Sequence, residues 1–517
     1  NSRRHARSVA MGPERGYLTA RRGVRAVPAR RLLWSAYCKL FVLQIVCSTN
    51  SLQYPWLVRI VGRTAELAAL DAAWGYAVAG EPELAVIWGR RRVGKTFLLT
   101  HFADGKRSVY FTATRQDTED RQLRRFADRL REQLGAEVND LVPETFPGWE
   151  VALRFVLRLA ATAPLLLVID EAPRLTGGHT DFADTVSAVW ENHVRDQRLM
   201  LVLSGSAVAV MEQMLGPHGG LHRRAGTERR IDPFGLLDAR AFQPDLAAED
   251  FIQAYAACGG YPLHLRRWSS ERTTAENLAD LAFAPDGLLL RDAPDILSED
   301  LDWRGGYERV LAAMAGGARR RSRIAGRAQQ RIDYTLDRLR RAGYVRVVRS
   351  LGSGGSPDPM YEIADDYLAY WFAVLRDDAD LIEGGQGAAV AQRTTGRWQA
   401  QVARIFEVAA REHTQRMVAA GVLPAGTVVG RWWLDETAEI DVLALGTDGP
   451  VLVGECRWQA KPITERDLVE LRRRAVHLPP VGPAGPVYAF WSRGGATQAL
   501  AAHRDVRSFT PTDLLSA

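Results

Sequence analysis

Leu84-Ala85-Val86-Ile87-Trp88-Gly89-Arg90-Arg91-Arg92-Val93-Gly94-Lys95-Thr96-Phe97-Leu98-Leu99 sets an apolar run, a glycine-bounded loop and the opening of a helix side by side. The loop matches G-x-x-x-x-G-K-T in full. Glycine at each end lets the backbone curl until successive N–H groups point at phosphate oxygens, and the helix N-terminus behind it adds partial positive charge. The pattern predicts that Gly89, Arg90, Arg91, Arg92, Val93, Gly94, Lys95 and Thr96 cradle the phosphates of ATP. Lys95 would reach the β- and γ-phosphates, and the Thr96 hydroxyl would ligate Mg2+. The strand before the loop and the helix after it weigh against a chance match.

Hydrolysis needs a second piece, and Leu165-Leu166-Leu167-Val168-Ile169-Asp170-Glu171 supplies it. Continuous apolar runs of this length read as strands of a parallel sheet buried on both faces. At the carboxyl end of such a strand Asp170 would hold Mg2+ and Glu171 would orient the attacking water. The bland alternative is a strand that ends at an acidic surface turn. Two more strands, Ser108–Thr112 and 199–204, alternate with helical stretches, so the expected fold is α/β, a doubly wound parallel sheet. Ser204-Gly205-Ser206 then falls at a strand end facing the nucleotide, where Ser204 would sense the γ-phosphate or simply serve turn chemistry. Arg223 and Arg224, in Leu221-His222-Arg223-Arg224-Ala225-Gly226, are candidates for an arginine finger, acting within the chain or from a neighbouring subunit.

The length of 517 residues calls for two to four domains by the size one core organises. Cys38, Cys47, Cys258 and Cys456 show no paired spacing, which argues against a disulfide framework or zinc site and fits a reducing cytoplasm. The net charge of +6 is unevenly spread. Residues 1–60 hold ten Arg and Lys39 against Glu14, a net of +10, which leaves −4 for residues 61–517. Arg30-Arg31 followed by the mostly apolar run 32–47 has the outline of a signal peptide. Lys39 interrupts that run, whose pieces fall short of the roughly 20 apolar residues a bilayer requires, so it reads as a disordered or mispredicted leader and no membrane partner is expected.

Taken together, Val61-Gly62-Arg63 with Glu66-Leu67, the loop from Gly89 to Thr96, the Asp170-Glu171 strand, Ser204-Gly205-Ser206 and Gly259-Gly260-Tyr261-Pro262 resemble the archaeal-type, DEXX-box-like P-loop ATPases of the AAA/STAND group. Those proteins carry a C-terminal restriction-endonuclease-like domain of unknown function. The likeness spans about residues 60 to 475. It implies that Val61 and Gly62 lie on the adenine side, that Gly259-Gly260-Tyr261-Pro262 belongs to a helical lid, and that the chain is a nucleotide-driven switch or motor.

Beyond the lid, 292–302 is acidic and contains Pro294, which reads as a connector. Residues 307–349 contain two helical patterns followed by a strand and resemble a winged helix-turn-helix. Eleven Arg stand against Asp333 and Asp337 over 319–349, a net of +9, a density that suits DNA phosphates or an ordinary solvated face. Gly384-Gly385-Gln386-Gly387 marks a linker. Residues 397–475 then follow the order of a restriction-endonuclease-like fold, with Glu407 on a helix and Asp441 and Glu455 on adjacent strands as a candidate second Mg2+ site. Arg457 stands where such nucleases place a lysine, and an arginine orients charge but does not act as a base, so the domain reads as a nuclease or as a retained binding scaffold.

The expected organisation is a basic extension at 1–57, a P-loop NTPase core at 58–235, a helical lid and connector at 236–300 and a winged helix at 301–375. A linker at 376–396 and an α/β restriction-endonuclease-like domain at 397–517 complete it. The expected activity is ATP hydrolysis, with a slow assembly switch or an ATP-gated nuclease as rivals. The expected partners are DNA through the winged helix and further copies of the chain.

Overall fold

A computed structural model describes residues 60–175, 182–300, 305–352, 358–434, 438–478 and 485–516. The basic N-terminal stretch, with Cys38, Cys47 and the run 32–47, lies outside them.

Strands β1 (Glu83–Trp88), β2 (Ser108–Thr112), β3 (Leu165–Asp170), β4 (Leu199–Gly205) and β5 (Thr227–Arg230) form one sheet in the order β2-β3-β4-β1-β5, every neighbour parallel. Alternation along each strand divides two cores. Leu84, Val86, Leu167, Ile169 and Leu201 face helices α3 (Glu119–Leu134), α4 (Trp149–Ala160), α5 (Phe182–His193) and α6 (Val208–Leu215). Ala85, Ile87, Leu166, Val168 and Val202 face α1 (Thr64–Ala79) and α2 (Lys95–Ala103). Both faces being covered explains why β3 and β4 are buried throughout and read as unbroken apolar runs. Parallel strands also bring the ends of β1, β3 and β4 to one edge, where ligands of open α/β sheets bind.

A helical segment follows: α7 (Ala248–Cys258), α8 (Pro262–Arg267), α9 (Thr274–Leu281) and α10 (Leu288–Asp300). The connector expected at 292–302 is, as far as residue 300, the second half of α10. Its Leu289, Leu290, Ala293, Ile296 and Leu297 are buried. Pro294 has no N–H for the Leu290 carbonyl, and the Trp371 indole donates to that oxygen instead at 2.9 Å.

Helices α11 (Gly305–Ala315), α12 (Arg321–Ala328) and α13 (Asp333–Arg341) precede an antiparallel hairpin of β6 (Val345–Val348) and β7 (Met360–Ile363). There are three helices here where the sequence pattern gave two. The eight-residue α12 buries only Ile324 and Ala328 among its arginines, too little for a visible period. The linker expected at 376–396 is helical as well. Ile382 and Val390 are buried, and Gly387 sits so close to the chain at Phe283 that a Cβ there would lie 1.8 Å from the Phe283 carbonyl oxygen. That glycine serves close packing, not flexibility.

The long helix α14 (Thr395–Ala419) then leads to β8 (Val428–Trp433), β9 (Glu439–Gly446), β10 (Gly449–Arg457), α15 (Glu465–Ala475), β11 (Val487–Ser492) and β12 (Val506–Phe509). The sheet order is β12-β11-β10-β9-β8, antiparallel from β8 to β10 and parallel from β10 to β12. Val402, Ile405 and Phe406 of α14 belong to a different apolar cluster from Leu468 and Leu471 of α15, so the two helices cover opposite faces.

The hairpin is fastened to this second sheet. Ser350 Oγ donates to the Trp433 carbonyl at 2.8 Å and accepts from its N–H at 2.9 Å, while Leu351 N–H donates to the Arg431 carbonyl at 2.9 Å. The buried Arg431 guanidinium reaches Glu362 of β7 at 2.6 Å and also pairs with Glu439. Arg431→Met should therefore leave buried carboxylates short of their counter-charge, costing about 3 kcal/mol. The guanidinium-chloride midpoint checks this, and an unchanged midpoint would show the joint to be dispensable.

Candidate active site

The loop after β1 takes left-handed backbone at Arg92 (φ 69°) and Gly94 (φ 98°). Lys95 Nζ donates to the carbonyls of Gly89 at 2.7 Å and Arg90 at 3.0 Å, which places the ammonium across the loop from its own helix. Thr96 Oγ1 donates to Asp170 Oδ2 at 3.0 Å, so the hydroxyl and carboxylate expected to share a metal stand together. Tyr110, a residue the sequence reading did not single out, donates to the same oxygen at 2.9 Å. Burial raises the Tyr110 phenol well above its usual range, with Asp170 adding to the effect, so it stays a donor.

Glu171 adopts φ 58°, an uncommon conformation for a residue with a side chain. Its carboxylate accepts from Ser206 Oγ at 2.9 and 2.8 Å and from Ser206 N–H at 3.3 Å. The structure thus brings Ser206 to Glu171, whereas the buried Ser204 hydroxyl has no hydrogen-bond partner among the described residues. The signal was present in Ser204-Gly205-Ser206. Ser204 still lies within β4, and only after Gly205 does the chain turn toward Glu171.

Arg90 and Arg92, expected to meet the phosphates through the loop backbone, turn their side chains elsewhere: Arg90 Nη1 pairs with Asp365 at 2.6 Å and Arg92 Nη2 pairs with Asp292 at 2.7 Å. Both carboxylates come from outside the nucleotide-binding sheet. Arg91 is exposed, and Val93 is buried with its carbonyl accepting from Arg63 at 3.1 Å. Arg63 also lies 3.8 Å above the Phe234 ring. Beside it a cavity of about 450 Å3 is lined by Gly62, Arg63, Glu66, Asp232, Phe234 and Asp238. Of Val61 and Gly62, the two residues expected on the adenine side, Gly62 lines this cavity. Of the two finger candidates, Arg224 pairs with Glu191 and donates to the His222 carbonyl at 3.2 Å, while Arg223 is exposed with φ 57°.

In the second sheet Glu407, Asp441 and Glu455 come within electrostatic reach of one another. Burial, then Asp441, raises Glu407 to about 7, and burial, then Glu455, raises Asp441 to about 6. Arginines surround them. Glu455 pairs with Arg457 at 2.6 Å through one oxygen and with Arg474 at 2.7 Å through the other. Asp441 Oδ2 accepts from Cys456 N–H at 2.9 Å. With both Glu455 oxygens paired to arginines, this arrangement does not fit the expected second Mg2+ site. The physical reason is the arginine at position 457, which takes a carboxylate oxygen a cation would need.

These shifts have a sign. Glu407 and Asp441 bind protons more tightly folded than unfolded, so the stability they contribute is full below about pH 4, the unfolded range, and is lost as pH rises through about 6 and 7. Glu362 opposes them only in acid. Burial alone would raise it, but Arg431 and Arg346 hold it at about 2. Wild-type protein should melt at a higher temperature at pH 5 than at pH 8, and Glu407→Gln should narrow that gap. An equal gap in the variant would remove Glu407 from the account.

Residues 61–267 match the model of a family described as an ATPase domain predominantly from Archaea, and residues 371–470 match one described as Archaea bacterial proteins of unknown function. An uncharacterized protein of Methanocaldococcus jannaschii, MJECL04, is 22% identical over 425 residues, covering 80% of this chain and 90% of its own length. Among solved structures, the Walker-type ATPase PABY2304 of Pyrococcus abyssi aligns with TM-score 0.45 and 18% identity over 60% of this chain and 96% of its own. The ORC2 protein of Aeropyrum pernix aligns with TM-score 0.42 and 13% identity over 66% and 98% respectively. Among the described residues no helix is long and apolar enough to cross a membrane. Residues 61–267, with their phosphate-binding loop, Thr96–Asp170 pair and Glu171, thus resemble the ATPase domain found predominantly in Archaea, and the chain is an ATPase that carries a P-loop.

Proposed function

We propose that ATP hydrolysis at the edge of the first sheet repositions an arginine-rich winged helix and a restriction-endonuclease-like domain on DNA. The observation that carries the DNA reading is the exposure of the basic segment. Of its eleven arginines eight are exposed: Arg321, Arg323, Arg327, Arg331, Arg338, Arg340, Arg341 and Arg349. Such a density suits phosphate contacts. The other three, Arg319, Arg320 and Arg346, are partly buried, and Arg346 is spent on Glu362 at 3.0 Å. The three helices and hairpin support the winged-helix reading, with α13 as the helix offered to a groove. Because the hairpin is fastened to the second sheet, winged helix and C-terminal domain travel together.

At the ATP site the loop N–H groups cradle the phosphates and Lys95 leaves its carbonyl partners for the β- and γ-phosphates. Thr96 and Asp170 are oxygen ligands already in contact, a set that suits Mg2+, which when bound neutralises charge on the phosphates. Glu171 orients and polarises the attacking water, with Ser206 holding its carboxylate. The cavity beside Gly62 and Phe234 receives the base. Arg223, being exposed, is the better placed of the two arginines to act on a neighbouring copy.

One observation favours a slower reading. The Glu171 carboxylate is held by Ser206, so a chain that keeps it there would bind ATP, turn over slowly and signal by assembly, as a STAND-type switch does. In the C-terminal domain the order α14, β8, β9, β10, α15, β11 supports a restriction-endonuclease-like fold, and the Glu455 pairing with two arginines favours binding of nucleic acid over cleavage.

Lys95→Ala should lose ATP affinity, whereas Glu171→Gln should keep it and lose turnover by about 100-fold or more, the range typical of a catalytic base. Calorimetry and steady-state phosphate release read these separately. Fast turnover stimulated by duplex DNA supports the motor, and slow turnover with ATP-dependent assembly supports the switch. DNA affinity should fall steeply with salt, and Arg338→Ala with Arg341→Ala should lower both the affinity and the salt slope. Mg2+-dependent plasmid cleavage by the unmodified chain, abolished by Asp441→Ala, would replace the binding reading with a nuclease, and cleavage appearing only in Arg457→Lys would show a site silenced by one residue.

A further inference from the structure

Two carboxylates that the nucleotide-binding sheet does not supply hold the phosphate-binding loop from either flank of Arg91. Asp365 lies between β7 and the short helix Asp366–Tyr370. Its Oδ2 accepts from Arg90 Nη1 at 2.6 Å and from the Tyr261 hydroxyl at 2.6 Å, and its Oδ1 accepts from Leu368 N–H at 2.9 Å, capping that helix. Arg90 Nη2 also donates to the Gly343 carbonyl, and the guanidinium stands 4.3 Å from the centre of the Tyr344 ring. Asp292, on α10, pairs through Oδ1 with Arg92 at 2.7 Å and through Oδ2 with His264 Nε2 at 2.8 Å, while His264 Nδ1 faces the Cys258 carbonyl at 3.2 Å.

Both carboxylates are nearly dry, with side-chain exposure of 0% for Asp365 and 2% for Asp292; Arg90 is 4% exposed and Arg92 27%. A buried ion pair is weak evidence for stability, because desolvation consumes most of the attraction, but it fixes geometry strongly. Here the geometry fixed is that of the loop. Guanidinium groups turned outward to these carboxylates leave the backbone N–H groups, not the arginine side chains, for the phosphates.

We infer that Asp365 and Asp292 are positioning residues for ATP: each holds one loop arginine, so the cradle keeps its phosphate-binding shape only while the helical segment and the arginine-rich module are docked on it. The inference rests on the ATPase activity and not on the DNA reading. Loss of a preorganised cradle removes binding shared by substrate and transition state, which raises KM and leaves kcat nearly unchanged.

The test uses the full chain with ATP and Mg2+. Asp365→Asn and Arg90→Gln should each raise KM about tenfold with kcat within about twofold, the pattern of lost uniform binding. The double variant should show the same tenfold rise, because a single contact can be lost only once. Asp292→Asn and Arg92→Gln form a second, independent cycle at a more exposed arginine and carry the test if the first pair fails to fold. Folded single variants with unchanged KM, melting earlier than wild type, would assign the pairs to stability alone and overturn the inference. A double variant whose effects multiply to about a hundredfold would overturn it too, since independent sites add in free energy.

Discussion

The Arg90–Asp365 pair is the interaction on which the relation between the two sheets turns. It joins the second residue of the phosphate-binding loop to the residue two places beyond β7, at a sequence separation of 275. Neither group could be left alone in so dry a place: an unpaired buried guanidinium or carboxylate costs several kcal/mol in desolvation. The pair therefore forces the arginine-rich module against the nucleotide edge. Tyr261 and Leu368, donating to the same carboxylate, bring the helical segment and the helix after β7 into that constraint.

From Asp365 the chain of fixed groups continues. Glu362 lies three residues earlier on β7 and meets Arg431 of β8, which also stands 3.7 Å from Glu407. A displacement at the phosphate-binding loop thus has a contiguous route of charge pairs to the carboxylates of the second sheet. Contiguity is not coupling in itself; it becomes coupling only if one of these pairs has two arrangements that both sites bias. Arg431 is the member best suited to that part, because Glu362, Glu407 and Glu439 all compete for it.

What the sequence disclosed follows the range of the physics. The phosphate-binding loop, the Asp170-Glu171 strand and the parallel sheet were legible because each depends on residues adjacent in the chain: a glycine spacing, an apolar run, an acid at its end. The order of helix and strands around Glu407, Asp441 and Glu455 was legible for the same reason. Tyr110, Asp365, Asp292 and His264 were not, since each gains its role only from a partner far away in sequence, and at Ser204-Gly205-Ser206 the motif was legible but not which serine meets Glu171. The glycines near 384–387 misled for a related reason. A glycine that admits a neighbouring backbone and one that loosens a linker look alike until the neighbour, Phe283, is in place. Pro294 misled likewise, because its cost to α10 is met by an indole from Trp371.

The arginines carry the same lesson into function. Three consecutive arginines inside a phosphate-binding motif invite a count of positive charge offered to ATP, but charge counts only where it is not already neutralised. Arg90 and Arg92 face carboxylates, and Arg457 and Arg474 face Glu455, so in both sheets the arginines nearest the expected chemistry are bound within the protein. The consequence differs between the two places. At the first sheet it is backbone N–H groups and Lys95, not those side chains, that face the phosphates, and the pairing leaves the site able to hold phosphate. At the second sheet the carboxylates were themselves to be the metal ligands, and an arginine that occupies a ligand oxygen removes the ligand. One residue type, paired in the same way, thus suits an anion held through N–H groups and works against a cation held through oxygens.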